Sequence, residues 1–232
     1  MRNCILLLLF FNLTACGTRE FLAPVDEAVW TPFNSQAVTY RVKRGDTLYS
    51  IAFLYDADYK DLAQINHIPS PYYLSVGQVI RLRSERSVSK NNVQHFSAES
   101  AKIVKYSAHS KWLWPVYGEI KNSFAPNLGQ KGINIVAGKG SKVRASQSGV
   151  IAYAGNGLEN YGNLIIIKHS DNYLTAYGNN LRNLVREGQV VRAGQFIAEL
   201  GVLNRKYYGL HFEIRKNGKP VNPSLFLGKL RK

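Results

Sequence analysis

This 232-residue sequence is short of cysteine, of acidic residues and of long apolar runs, and each shortage excludes something. Its two cysteines, Cys4 and Cys16, both lie near the start, so nothing after Gly17 can form a disulfide and the folded part must be held by packing. Fifteen Asp and Glu stand against thirty Lys and Arg, a net charge of +15 that favours anionic partners in a salt-dependent way. Charge alone does not separate nucleic acid from membrane or cell wall. The longest apolar stretch near the start, Ile5 to Phe11, is far short of the roughly 20 residues that cross a bilayer as a helix. What is present is ample apolar material: 45% hydrophobic and 12% aromatic residues can bury a real core, and the length fits two small domains.

The start, "MRNCILLLLFFNLTAC", has a basic residue at Arg2, a short apolar run and small residues before Cys16, the layout of an export signal. "LTAC" resembles a bacterial lipobox. That resemblance implies a signal peptide over residues 1–15, cleavage before Cys16 and lipidation of that cysteine. Gly17, where an inner-membrane retention signal places Asp, implies anchoring in the outer membrane, facing the periplasm. An exported address makes nucleic acid an unsuitable partner and leaves peptidoglycan carboxylates and anionic head groups. Residues 16–37 carry two prolines and no sustained periodicity, and read as the lipidated cysteine and its tether.

From Val38 the pattern changes. Val38, Tyr40 and Val42 alternate as a strand, as do Val79 to Leu82 at the far end of the unit. Between them Leu48, Ile51, Ala52 and Tyr55 make a helical stripe with Asp46 placed as N-cap, and Asp58 is placed to cap a second helix with Leu62 and Ile65 inward. The prolines of "HIPSPYY" end it. "YRVKRGDTLYSIA", "LAQINHI" and "LSVGQVIRL" together resemble the LysM domain, an α+β unit of βααβ order, over residues 38–83. The resemblance implies binding of N-acetylglucosamine-containing glycan strands in a shallow groove at Gly45, Asp46, Thr47, Leu48, Ile68 and Pro69. The plainer reading of Asp46, Thr47 and Ile68 is capping and packing.

Residues 84–111, rich in Ser, Lys and Asn, read as a basic flexible linker, with His95 and His109 as solvated linker histidines. Residues 112–232 consist of short strands separated by glycine turns, with no long amphipathic helix, which predicts an all-β antiparallel sandwich. In "LHFEIRKNG", Leu210, Phe212 and Ile214 share one face of a strand, His211, Glu213 and Arg215 share the other, and Asn217-Gly218 makes a tight turn.

This framework resembles the LytM-type, lysostaphin-like zinc peptidases of peptidoglycan. In active members a His-x-Gly-x-Asp segment and the second histidine of a His-x-His strand hold zinc, and two further histidines assist. Here Gln130 and Asn134 stand at the first two ligand positions, Asn179 and Gly209 at the two assisting positions, and His211 alone keeps its identity. Neutral amides are weak zinc ligands, and neither Asn179 nor Gly209 can manage a proton. His169, at the end of "IIIKHS", would still leave a three-ligand set incomplete, and its neighbours favour ordinary turn hydrogen bonds. No catalytic residue, metal or cofactor is expected.

The order of lipobox, LysM unit, linker and degenerate LytM unit resembles that of murein hydrolase activators. These stimulate periplasmic N-acetylmuramoyl-L-alanine amidases during the splitting of septal murein. The implied binding groove comprises Gln130, Asn134, Tyr177, Asn179, Gly209 and His211. Two alternatives stay open: a passive staple between outer membrane and peptidoglycan, and an active zinc murein endopeptidase.

Overall fold

The structure, a computed structural model, describes residues 37–83 and 112–228. The expected signal peptide, the expected lipidated Cys16 and the expected tether up to residue 36, together with the 84–111 segment and its two histidines, lie outside the described residues.

Residues 37–83 form two strands and two short helices: β1 (Thr39–Arg41), α1 (Leu48–Leu54), α2 (Tyr59–Ile65) and β2 (Val79–Arg81). β1 and β2 pair antiparallel with Tyr40 opposite Ile80. The helical stripe packs as the spacing requires, with Leu48, Ile51, Ala52 and Leu62 buried against Val42, Ile80 and Leu82. One expectation is corrected. The N-cap of α1 is Thr47 and not Asp46: the Thr47 hydroxyl accepts from Ser50 N at 3.1 Å while the Ser50 hydroxyl accepts from Thr47 N at 3.0 Å, a reciprocal capping box. Asp46 instead closes the preceding turn, accepting from Lys43 N at 2.7 Å and from the Tyr40 hydroxyl at 2.8 Å. Gly45 makes the turn possible with φ of +86°. Asp58 caps α2 through Lys60 N at 2.8 Å, as its position predicts.

Residues 112–228 are built from antiparallel ladders. In chain order the strands are β3 (Glu119–Asn122), β4 (Ile133–Val136), β5 (Lys142–Arg144), β6 (Gly149–Gly155), β7 (Asn163–Lys168), β8 (Tyr173–Asn183), β9 (Val190–Val191), β10 (Phe196–Leu200), β11 (Val202–Leu203), β12 (Tyr207–Lys216) and β13 (Lys219–Val221). The main path runs β3-β4-β12-β8-β7-β6-β9. Strand β8 serves two layers: its first half lies between β12 and β7, and its last residues pair with β10, which pairs in turn with β5. Asn179, with φ of +61°, sits at the change of partner. Ile133, Ile135, Phe212 and Ile214 from one layer thereby close on Val143, Ile197 and Leu200 from the other, which is the core of a sandwich. Asn217 (φ +50°) and Gly218 (φ +75°) form the β12–β13 turn.

The two units pack against each other. Phe53 of α1 leaves its own domain's core and joins Ala152, Tyr153, Leu158, Tyr161 and Leu164 of the second domain, where it is 1% exposed. Its ring meets Tyr161 edge-on at 5.3 Å. Polar contacts surround it: Thr47 Oγ1 donates to Ala152 O at 3.1 Å, Lys131 Nζ pairs with Asp56 at 2.6 Å, and Asn172 donates to Asp58 at 2.9 Å. The β12–β13 turn comes so close that a Cβ on Gly218 would fall 2.1 Å from the Ala57 carbonyl oxygen.

Candidate functional site

Alternation along β12 places His211, Glu213 and Arg215 on the face opposite Phe212, and all three are buried. They form a chain of contacts. His211 Nδ1 lies 2.7 Å from Asn134 Oδ1, and His211 Nε2 lies 2.9 Å from Glu213 Oε1. Tyr161 donates its hydroxyl to the same carboxylate oxygen at 2.8 Å, and Arg215 Nε donates to Glu213 Oε2 at 2.8 Å. Arg215 Nη1 then leaves the domain, donating to Phe53 O at 2.6 Å and Asp56 Oδ1 at 2.7 Å, with its guanidinium stacked 3.6 Å from the centre of the Phe53 ring. Asp56 closes the chain on Lys131.

Electrostatics make this chain rigidly charged. Burial alone would raise the Glu213 carboxyl, but the Arg215 guanidinium, with His211, outweighs it and holds the group well below the usual carboxylate range. Burial, and after it the Glu213 carboxylate, pushes the Tyr161 hydroxyl well above its ordinary value, so it stays a donor. Glu213 is therefore an ionised acceptor with three partners, and its oxygens are already engaged.

The other expected groove residues fall in different places. Register sets Asn134 opposite His211 on the neighbouring strand, and Gln130 approaches from the preceding loop, its amide nitrogen 3.1 Å from Gly132 O and 3.5 Å from Asn134 Oδ1. Asn134 also donates to Asn122 at 3.2 Å. Asn179 lies half-buried at the β8 bend, its backbone N–H donating to Tyr161 O at 2.7 Å. Tyr177 is a correction: it is fully buried in the core on the Phe212 side, 5.3 Å from that ring, and its hydroxyl accepts from Ser146 N at 2.8 Å. Its position opposite Phe212 in the ladder places it on the core face, away from the groove. Gly209 is near the groove but closed over, since a Cβ there would lie 2.5 Å from Leu203 Cδ1 and 2.9 Å from Ile135 O.

His169 is a packed histidine. Its Nδ1 donates to Ser148 O at 2.8 Å and its Nε2 lies 2.7 Å from Thr175 Oγ1, so its partners are not the Ser170 and Asp171 next to it in sequence. Burial lowers its pKa to about 4. Of the expected glycan-contact residues, Gly45, Asp46 and Thr47 gather in the β1–α1 turn. Leu48 is wholly buried, Ile68 is 8% exposed and Pro69 is exposed.

Sequence reasoning missed Tyr161, Asp56 and Phe53. Arg215 was visible on the polar face of its strand, but its partner Asp56 is 159 residues away, and nothing local announces such a pair. For Phe53 a signal existed: it is a large apolar residue outside the stripe formed by Leu48, Ile51, Ala52 and Tyr55.

The comparisons agree with this architecture. Residues 129–223 match peptidase family M23, and residues 40–83 match the LysM domain. A Pseudomonas aeruginosa protein named lipoprotein NlpD/LppB homolog is 40% identical over 226 residues, spanning 81% of this chain and 76% of that one. The chain belongs to the NlpD/LppB lipoprotein family. Within it, the uncharacterized lipoprotein YgeR of Escherichia coli is 38% identical over 81% of this chain and 80% of its own length. The murein hydrolase activator NlpD of Escherichia coli is 35% identical over 82% of this chain and 67% of its own length. Among solved structures, the antimicrobial peptidase lysostaphin from Staphylococcus simulans is similar over 49% of each chain, at 26% identity and a TM-score of 0.42.

Proposed function

We propose that this lipoprotein hydrolyses nothing itself and acts as a murein hydrolase activator: residues 38–83 hold peptidoglycan, and the β12 groove engages a periplasmic N-acetylmuramoyl-L-alanine amidase. The lipid anchor at Cys16 in the outer membrane belongs to the same reading. What carries it is the donor set around His211. A catalytic zinc commonly takes three imidazole, thiolate or carboxylate ligands and keeps a fourth position for water. At the family's ligand positions this chain offers one imidazole, His211, and the amides of Gln130 and Asn134. The nearest carboxylate, Glu213, is bound to Arg215, Tyr161 and His211. These residues do not fit a catalytic zinc, and the positions that would move protons are an amide and a glycine closed over by Leu203.

The names of the relatives support the activator reading over the passive staple. Activation needs only differential affinity: if a segment covers the amidase's own catalytic centre, a partner that binds the uncovered form shifts the population toward activity. The half-buried rim at Gln130 and Asn179 is the part of the groove open to such a segment, because Phe53 covers the Arg215 end. The test is murein dye release by the full chain with and without an amidase. Release only in the mixture, abolished by Gln130→Trp at unchanged melting temperature, is the expected result. Zinc-dependent release by the chain alone would overturn the non-catalytic reading, and full stimulation by a folded Gln130→Trp variant would overturn the groove. Gly209 is a poor place for a blocking side chain because Leu203 and the Ile135 carbonyl already fill that space.

A further inference from the structure

The turn expected to hold glycan does not face open solvent alone. Thr47 is hydrogen-bonded to β6 through Ala152, and between the two domains lies a cleft of about 460 Å³. One wall carries Thr47, Tyr49, Tyr72 and Tyr73; the other carries Lys168 and Glu187 of the second domain. Tyr49, Tyr59 and Tyr72 form a cluster with ring centres 4.6 to 5.9 Å apart, and Tyr73 is 84% exposed at the mouth. Aromatic rings with one apolar face and one wet edge are suited to the mixed surface of a sugar.

Lys168 is the odd member of this cleft. It is half-buried, its Nζ lies 3.4 Å from the Tyr49 hydroxyl and 5.7 and 5.9 Å from the ring centres of Tyr49 and Tyr59, and among the described residues it pairs with no carboxylate. Glu187, also lining the cleft, accepts from Ala154 N at 3.2 Å. Burial, helped by Tyr59 and Tyr72, holds the Tyr49 hydroxyl well above its ordinary pKa, so that neighbour supplies no counter-charge near neutral pH. A half-buried ammonium among neutral rings is favourable ground for an anion, because pairing recovers part of its lost hydration.

We propose that the cleft is a composite site for an amino-sugar strand bearing a carboxylate. In it the Thr47 turn and the tyrosines hold the sugar, and Lys168 of the peptidase-like domain holds the carboxylate. This rests on the reading that residues 38–83 bind glycan, and adds that the second domain takes part in recognition. Two sources share the required chemistry. In intact murein the acidic groups belong to the stem peptide; once the amide joining peptide to sugar is hydrolysed, the strand keeps a free lactyl carboxylate. A site sensitive to that difference would tell substrate strand from product strand for the enzyme being activated.

The experiment titrates the full-length lipoprotein in detergent with three oligosaccharides of equal length. These are an N-acetylglucosamine oligomer without carboxylate, a glycan strand stripped of its peptides, and a strand with its peptides attached. Lys168→Met removes the charge while keeping most of the side chain's length and apolar stem. The expected result is that the variant loses roughly tenfold in affinity for one of the two carboxylated strands, the size of one charge-assisted hydrogen bond, and none for the neutral oligomer. Lys168→Arg should restore the loss, and the strand affected names the source of the carboxylate. Equal binding of all three strands by the wild type, or an equal loss for all three in Lys168→Met, would overturn the proposal, the latter showing that Lys168 only positions the domains. Failure of the wild type to bind even the neutral oligomer would also overturn it, by removing the underlying glycan reading, and that result is distinct from the other two.

Discussion

The two faces of β12 are equally buried and chemically opposite. Leu210, Phe212 and Ile214 are wholly buried on one side, and His211, Glu213 and Arg215 are 5%, 0% and 1% exposed on the other. The apolar face needs only shape and volume, and any sandwich of this kind would keep it. The polar face must offset the desolvation of two charges through geometry, and it does so with Tyr161, Asn134 and, from the first domain, Asp56 and the Phe53 carbonyl. A fold alone does not require that arrangement. Its last links belong to the LysM unit, so the polar face is where the peptidase-like domain and the LysM unit are fastened together.

The largest effect should come from breaking that face on one side of its pair. Arg215→Ala leaves Glu213 buried without its cation and should cost about 3–5 kcal/mol in urea unfolding, comparable to the roughly 3–5 kcal/mol expected for Phe212→Ala on the apolar face. The faces part company when both partners are replaced. Glu213→Leu with Arg215→Met should recover most of the loss, since a buried ion pair is often no better than a well-packed apolar pair. A double variant as unstable as Arg215→Ala would mean that the charges, and not only their balance, hold the domains.

Phe53→Ala sharpens the comparison from the other domain, with about 3 kcal/mol expected from the lost aromatic packing. Because Phe53 lies at a seam, the loss can be relieved by separation, so the radius of gyration from small-angle scattering should rise. An unchanged radius would show that the polar contacts across the seam, the ion pairs of Asp56 with Arg215 and Lys131 among them, keep the domains together without the ring.

Much of this is legible in the sequence. Period-two alternation gave the two faces of β12, the helical stripe of α1 gave its buried side, and Asn217-Gly218 gave the closing turn. Those signals are local, each written in a few consecutive residues. Thr47 rather than Asp46 capped α1 because two acceptors stood side by side, and the choice was decided by which one Ser50 could answer and by the Lys43 and Tyr40 donors that claimed the other. Family resemblance alone puts Tyr177 in the groove, whereas its parity opposite Phe212 sends it into the core. The Arg215–Asp56 link and the cleft at Lys168 join residues more than a hundred positions apart, and no periodicity within either segment encodes them.

The smallest expected effect concerns His169, a buried histidine with no charged partner among the described residues. Since a carbonyl can only accept, Ser148 O fixes the proton on Nδ1, and Nε2 is left to accept from Thr175, itself 3.0 Å from the Tyr177 hydroxyl. Burial lowers its pKa to about 4 from an ordinary value of 6.5, so the unfolded chain binds the extra proton first as pH falls. The contribution of the neutral ring is complete above pH 6.5 and is lost as pH drops toward 4, a ceiling of about 3.5 kcal/mol at about 1.4 kcal/mol per unit, shared with whatever the acidic groups do. Urea midpoints measured between pH 7 and 4 should fall less steeply in His169→Gln than in the wild type. Equal slopes would show that the ring accepts its proton in the folded state after all. The Thr175 hydroxyl would then turn to accept from Nε2, and the hydrogen bonds around Tyr177 in the core would rearrange with it.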